Sequence, residues 1–158
     1  MELREIVKNL FKRIPFWLWG LLRGMLSPLD LGAIGLVEQR GRFVLVRQSY
    51  RPGWYLPGGG VGRNEPPAMA IMRELREELG LTRSAPPELI GIFVRKTWLY
   101  TNINVLYRVR DAEFDFKPNM EVREILLADP ASPPPGTAAG ARRRFAEIAG
   151  RAPQSPYW

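Results

Sequence analysis

Short β-rich runs of mainly apolar residues recur along this chain, and turn residues separate them. The β-rich runs 31–37 and 43–48 are joined by Glu38-Gln39-Arg40-Gly41, in which Gly41 suits a tight turn. This pattern predicts a β-hairpin. Three more strands are predicted at 88–96, 101–110 and 121–127.

A helical period replaces the strand period between the hairpin and the later strands. Residues 66–79 place Ala68, Ile71, Met72, Leu75 and Leu79 on one face. Pro66 and Pro67 fit the first turn of this helix, and Gly80 fits the position just after its end. Thr137 is predicted to cap a final helix that reaches about Ile148. Strands interrupted by a long helix and followed by another predict an α/β fold.

Residues 1–30 form a predicted N-terminal arm with aromatic, basic and helical character. The pattern favours an arm packed on the domain or on a second subunit, and the alternative is contact between residues 1–26 and an anionic membrane. The apolar run 14–22 is too short to cross a bilayer. We therefore divide the chain into this arm, a domain at 31–131, and a Pro-rich linker, helix and tail at 132–158.

Composition narrows the chemistry that the chain can perform. Its 158 residues include no Cys and no His, which excludes thiol nucleophiles, Cys/His zinc sites and Ser-His-Asp triads. Acid–base chemistry near neutral pH is left to carboxylates, Lys, Tyr or metal-bound water. The net charge of +7 is spread along the chain, and no nucleic-acid-binding motif accompanies it.

Three glutamates share one face of the predicted helix, next to its apolar stripe. Glu74, Glu77 and Glu78 have the spacing i, i+3, i+4. Such a group is typical of a charged surface helix, or of a site for a hard divalent cation that prefers oxygen ligands. Glu65 lies in the preceding loop, and the glycines at 58–60 allow close approach of backbone to a ligand.

The 23 residues 59–81 resemble the Nudix box as a whole. That pattern reads Gly, five residues, Glu, seven residues, Arg-Glu-aliphatic, one residue, Glu-Glu, one residue, Gly-aliphatic. The matching positions are Gly59, Glu65, Arg73, Glu74, Leu75, Glu77, Glu78, Gly80 and Leu81. Flanking stretches extend the resemblance to about 31–131.

The resemblance implies a Nudix α/β/α sandwich with a mixed β-sheet, and hydrolysis of a nucleoside diphosphate linked to another moiety. It implies Mg²⁺, with Mn²⁺ as the alternative, and no organic cofactor. It also implies that Arg73 pairs with Glu65. The catalytic set is Glu74, Glu77, Glu78 and Arg73, and the metal set is Glu65, Glu74, Glu77, Glu78 and a main-chain carbonyl near Gly59. We expect Glu77 and Glu78 to be exposed, so that Gln variants of either would fold.

Substrate residues are harder to predict. Arg47 and Arg51 are candidates for phosphate, Trp54 for stacking on a base, and Glu121 for a later acid that acts as base. Tyr55, Trp98, Tyr100 and Phe116 are further stacking candidates, and Glu124 and Asp115 are further acids.

The sequence predicts a small, nucleotide-like substrate, no nucleic-acid partner and a cytoplasmic location, and it leaves a homodimer open. Two alternatives to an active hydrolase remain. One is a module that senses a nucleotide without turnover. The other is a membrane-peripheral hydrolase of a lipid-linked pyrophosphate.

Overall fold

The computed structural model describes residues 29–97 and 100–158. These residues contain a mixed sheet with a helix on each face. The predicted helices of the arm and Trp98 lie outside them. The strands are β1 (Leu29–Gln39), β2 (Arg42–Gln48), β3 (Gly58–Gly60), β4 (Leu81–Arg83), β5 (Glu88–Lys96), β6 (Thr101–Val109), β7 (Glu113–Phe114) and β8 (Val122–Ala128). The helices are α1 (Pro67–Leu79) and α2 (Ala139–Ile148). Neither helix is long and apolar enough to cross a membrane, and the same holds throughout this part of the chain.

The main sheet has the strand order β5-β6-β1-β2-β8, and β3 adds to the start of β1. β1 and β6 run parallel, whereas the other pairs are antiparallel. The predicted hairpin is confirmed: Gln39 pairs with Arg42, and the two residues between them have φ angles of 52° and 75°. Positive φ at both positions is the geometry of a tight two-residue turn.

Two hydrophobic cores lie on opposite faces of this sheet. Side chains alternate along each strand, so Val44 and Val46 of β2 face α1 while Phe43 and Leu45 face α2. Strands that are buried on both faces read as nearly continuous apolar runs. The α/β/α sandwich with a mixed sheet is therefore confirmed.

Helix α1 has the ends that its proline and glycine residues predict. Pro66 is the N-cap residue and Pro67 opens the helix, where no intrahelical N–H is needed. Gly80 closes it in the left-handed conformation (φ 68°, ψ 39°), and its N–H donates to the Arg76 carbonyl at 3.1 Å. Glycine adopts this conformation without steric cost.

Helix α2 differs at its start from the prediction. Its N-cap residue is Ala138, and the Thr137 hydroxyl instead donates to the Pro134 carbonyl at 2.7 Å. The predicted cap at Thr137 is therefore wrong, because the preceding Pro-rich turn satisfies that hydroxyl locally.

Residues 151–158, which we call the tail segment, run back along β5. The Val94 N–H donates to the Pro156 carbonyl at 2.9 Å, and the Trp158 N–H donates to the Val94 carbonyl at 3.0 Å. The tail segment therefore adds a short parallel pairing to the strand that ends the described sheet.

Candidate active site

Helix α1 holds two carboxylates against the glycine strand β3. Glu74 and Glu78 are one turn apart and only 8% and 3% exposed. An oxygen of Glu78 accepts the Gly58 N–H at 2.8 Å. A Cβ atom at Gly59 would lie 2.6 Å from the Glu74 carboxyl carbon, so only glycine lets β3 pass this close.

The expected exposure of Glu78 is wrong, while that of Glu77 is confirmed. Glu77 keeps 55% of its side chain exposed. Each residue advances the helix by 100°, so Glu78 lies about 40° from Glu74 and Glu77 lies about 60° to its other side. The packing of α1 on β3 therefore buries the pair at 74 and 78 and leaves Glu77 at the rim.

Burial makes the charged form of this pair costly. Burial raises the pKa of Glu78 to about 7; the Gly58 N–H opposes the shift, and the charges of Glu74 and Glu121 add to it. Burial also raises the pKa of Glu74, against the effect of the neighbouring Arg73. A bound cation would stabilise the ionised form of these two carboxylates.

Arg73 connects the loop before α1 with the acidic pair. Its guanidinium donates twice to Glu65, at 2.9 and 3.0 Å, which is the pairing that the resemblance implies. The hydrogen bond from Arg73, helped by the Gly62 N–H, lowers the pKa of Glu65 to about 2. Arg73 also donates to Glu74 at 2.6 Å and to the Gly60 carbonyl at 3.0 Å. It therefore joins three segments of the site.

The donor set fits a hard divalent cation. No three or more acidic side chains in residues 29–97 and 100–158 are arranged to hold a metal ion, and Arg73 contacts Glu65, Glu74 and Glu77. The potential ligands are nevertheless all oxygens, which Mg²⁺ prefers. The burial of Glu74 and Glu78 and the close approach of the Glu74 carboxylate to Gly59 support this fit.

A cavity of about 800 Å³ opens on the other side of β3. Its lining includes the three glycines of β3, Gly140 of α2 and Trp158 of the tail segment. It also includes Asp30, Gln48, Tyr50, Arg51, Tyr55, Arg95, Tyr100, Asn102 and Asn104. The cavity reaches the glycine strand on which Glu74 and Glu78 pack, although no glutamate of the box lines it, and it has the size that small-molecule ligands occupy.

Of the predicted substrate residues, the structure brings Arg51 to this cavity and keeps Arg47 and Trp54 away from it. The Arg51 guanidinium lies 3.6 Å from the centre of the Tyr55 ring, at the cavity wall. Trp54 is 6% exposed and belongs to the core under α2, and Arg47 lies over its ring and pairs with Glu124 at 3.0 Å. Core packing thus accounts for Trp54.

Other predicted residues take different positions. Tyr55 and Tyr100 line the cavity, whereas Phe116 packs against the core under α1. Among the later acids, Glu124 pairs with Arg47 and Asp115 with Lys117.

Glu121 is near enough to raise the pKa of both buried glutamates. The side chain of Asn119 fixes its loop, because it donates to the Glu78 carbonyl at 3.2 Å and accepts the Glu121 N–H at 2.9 Å. Glu121 is therefore the later acid that lies beside the site.

Three polar residues of the site were not predicted. Gln48 is buried, hydrogen-bonds Glu78 and accepts from Arg51. Asn104 donates to Asn102 at 2.9 Å, and Asn102 donates to Asp30 at 3.0 Å. Residues two apart in a strand lie on the same face of the sheet. The spacing of these two asparagines in a mainly apolar strand could therefore have predicted a polar site on that face.

A model of the NUDIX domain matches residues 27–147, which is most of the chain. The chain belongs to the Nudix family. This Nudix chain also has the fold of solved relatives. It is similar to a MutT NUDIX hydrolase from Burkholderia pseudomallei, with a TM-score of 0.67 and 20% identity over 76% of this chain and 98% of that one. The E. coli ORF135 protein gives a TM-score of 0.62 and 24% identity, over 80% and 95% of the two chains.

Among curated proteins, the Nudix chain is similar to the RNA pyrophosphohydrolase of Hydrogenovibrio crunogenus. The two are 36% identical over 64 residues, which are 40% of this chain and 37% of the relative. The chain thus spans little more than a third of that relative's length.

Proposed function

We propose that this Nudix protein uses Mg²⁺ to hydrolyse a pyrophosphate bond in a nucleoside diphosphate linked to another moiety. The observation that carries the proposal is the buried pair Glu74 and Glu78, packed against a glycine strand that lines a cavity. Two acids in this setting cost stability unless they serve a ligand. Family membership supports the same reaction class.

Each residue of the box has a proposed role. Glu77, Glu78 and Glu65 would hold the cation together with a carbonyl near Gly59, and Glu74 would hold it or orient the attacking water. When bound, the cation would offset the negative charge of the phosphate oxygens. Arg73 would keep Glu65 in place through its two hydrogen bonds.

Two residues outside the box complete the proposal. Arg51 lines the cavity beside β3, where its guanidinium would bind phosphate oxygens. Glu121 would accept the proton of the attacking water, because it is the later acid near the buried pair. The glycine strand would let the diphosphate lie close to the backbone.

A second candidate substrate is RNA that carries a pyrophosphate linkage. The relative from Hydrogenovibrio crunogenus is named an RNA pyrophosphohydrolase, and this chain has a net charge of +7. Positive charge favours binding of phosphorylated polymers. The sequence led us to expect no nucleic-acid partner. That expectation stays a prediction, and an RNA substrate would contradict it.

A hydrolysis panel tests the proposal. Wild-type protein would be incubated with ADP-ribose, dinucleoside polyphosphates, oxidised nucleoside triphosphates, sugar nucleotides and 5′-triphosphorylated RNA, each with Mg²⁺ and with EDTA. We expect Mg²⁺-dependent cleavage of at least one nucleotide, which Glu74→Gln would abolish. Glu88→Gln, a change of an exposed acid on β5, is the matched control. Stabilisation by a nucleotide with no product would favour the sensing module instead.

A further inference from the structure

The side chain of Trp158 forms a wall of the cavity. Its indole meets Phe93 edge-on, with ring centres 6.0 Å apart. It also covers Gly140, where an added Cβ would lie 2.3 Å from the indole nitrogen. Both Gly140 and Trp158 line the cavity. The absence of a side chain at Gly140 therefore lets the indole lie against the start of α2.

A buried arginine holds the tail segment in this position. Arg144 is 1% exposed and lies 3.9 Å from the centre of the Phe93 ring. It donates to the Tyr157 carbonyl at 3.0 Å and to Glu147 at 2.7 Å. The same Glu147 oxygen accepts the Ser155 N–H at 3.0 Å. A buried charge with these partners fixes one backbone path for the tail segment.

The same cavity also carries polar groups in fixed positions. Asn102 and Asn104 are joined by a hydrogen bond on β6, and Asp30 of β1 accepts from Asn102. Amide side chains offer both donors and acceptors. An aliphatic group would remove water from these amides without replacing its hydrogen bonds, whereas a nucleobase would replace them and stack on an indole.

We propose that Trp158 is a specificity-determining residue, which contacts the base of a nucleotide substrate while Asn102 and Asn104 hydrogen-bond the edge of that base. Arg144 is a positioning residue that acts through the tail segment. The inference deepens the proposed function and rests on it for its kinetic test. It selects a nucleoside as the group in the cavity, in preference to a lipid or alkyl chain.

The kinetic test compares Trp158→Ala with Tyr157→Ala. Tyr157 lies in the same segment, but its ring packs against Lys96 and does not line the cavity. Loss of base stacking costs about tenfold or more. We expect Trp158→Ala to raise KM for the best nucleotide by about that factor, with little change for inorganic tripolyphosphate, which has no base. Equal KM values in the two variants would overturn the proposal.

Gly140→Ala keeps the indole but displaces it, so it tests the same wall without removing the tryptophan. We expect its KM to change in the same direction as that of Trp158→Ala. A binding test separates this inference from the proposed function. AMP or GMP should quench tryptophan fluorescence in wild type without metal, ribose 5-phosphate should not, and Trp158→Phe should lose the quenching. Quenching that survives in Trp158→Phe contradicts the inference, whereas a wild type that binds nucleotide but cleaves nothing contradicts only the proposed hydrolysis.

Discussion

At the scale of single residues, the site depends on a glycine as much as on acids. Gly59 and Gly60 are neighbours in β3, but they face different surroundings. A Cβ at Gly59 would lie 2.6 Å from the Glu74 carboxyl carbon, whereas one at Gly60 would meet no heavy atom within 4 Å. The two positions therefore separate the effect of a methyl group on the acids from its effect on the strand.

Gly59→Ala should impair the site more than Gly60→Ala does. The new methyl group would push the Glu74 carboxylate away from β3. We therefore expect the rate of hydrolysis to fall about 10-fold or more, which is the usual cost of disturbing the groups that orient a metal ligand. Steady-state kinetics on the best substrate of the panel would measure this. Similar activity in the two variants would show that Glu74 does not depend on the close approach.

Glu78→Gln should separate activity from stability. Removal of a proposed metal ligand should reduce turnover by about 100-fold or more. The fold should survive because the amide fills the same buried space and carries no charge to desolvate. Kinetics and urea unfolding of the same samples would test both parts, and near-wild-type turnover would contradict the assignment of Glu78.

At the scale of elements, the loop before β8 supports the end of α1. Asn119 donates to the carbonyls of Glu77 and Glu78, which lie in the last turn of the helix. Its side-chain oxygen accepts the N–H groups of Glu121 and Val122. One side chain thus joins a helix end, which lacks intrahelical partners, to the start of a strand.

Asn119→Ala should therefore weaken both the fold and the site. We expect the free energy of unfolding to fall by about 1–2 kcal/mol, because hydrogen bonds are lost at a helix end. Turnover should also fall, since Glu121 would lose its fixed position. Chemical denaturation and kinetics would measure these effects. Met120→Ala, at a neighbouring residue that is 77% exposed, is the control and should change neither.

At the scale of the whole molecule, the buried acid links stability to pH. Unfolded glutamate has a pKa of 4.5, whereas in the folded protein burial raises the pKa of Glu78 to about 7. The folded state therefore holds more protons between these values. The resulting stability is complete below pH 4.5 and is lost as pH rises through about 7.

Metal-free protein should accordingly lose stability between pH 5 and 8, by up to about 3 kcal/mol from this group. Nearby Glu74 and Glu121 add to the effect through their charges, while Gln48 opposes it. Thermal unfolding in EDTA across this range would show it, and added Mg²⁺ should restore stability at the alkaline end by binding the ionised acids. Glu78→Gln should flatten the pH dependence, and parallel curves for the two proteins would contradict the role of Glu78.

Local signals predicted the elements well. The strand expected at 88–96 is β5, Glu88–Lys96, and the helix expected at 66–79 is α1, Pro67–Leu79. Proline and glycine define these boundaries through the backbone of their own residues. The pairing of Arg73 with Glu65 also follows from the motif, because eight residues of loop and helix bring the two together.

Features that depend on distant contacts were not predictable in this way. The burial of Glu78 depends on β3, twenty residues earlier in the chain. Trp54 and Arg51 are three residues apart, yet one packs in the core and the other lines the cavity, because the loop turns between them. No local pattern shows that Trp158 returns to Val94 and reaches the cavity.

The pairing of the tail segment with β5 also bears on solubility. An uncovered edge strand offers its N–H and C=O groups to other molecules and promotes aggregation. Val94 uses both groups to bind the tail segment, and the same strand exposes Leu89 and Ile92. A chain cut after Gly150 would present this edge to its neighbours, and light scattering should show association that increases with protein concentration.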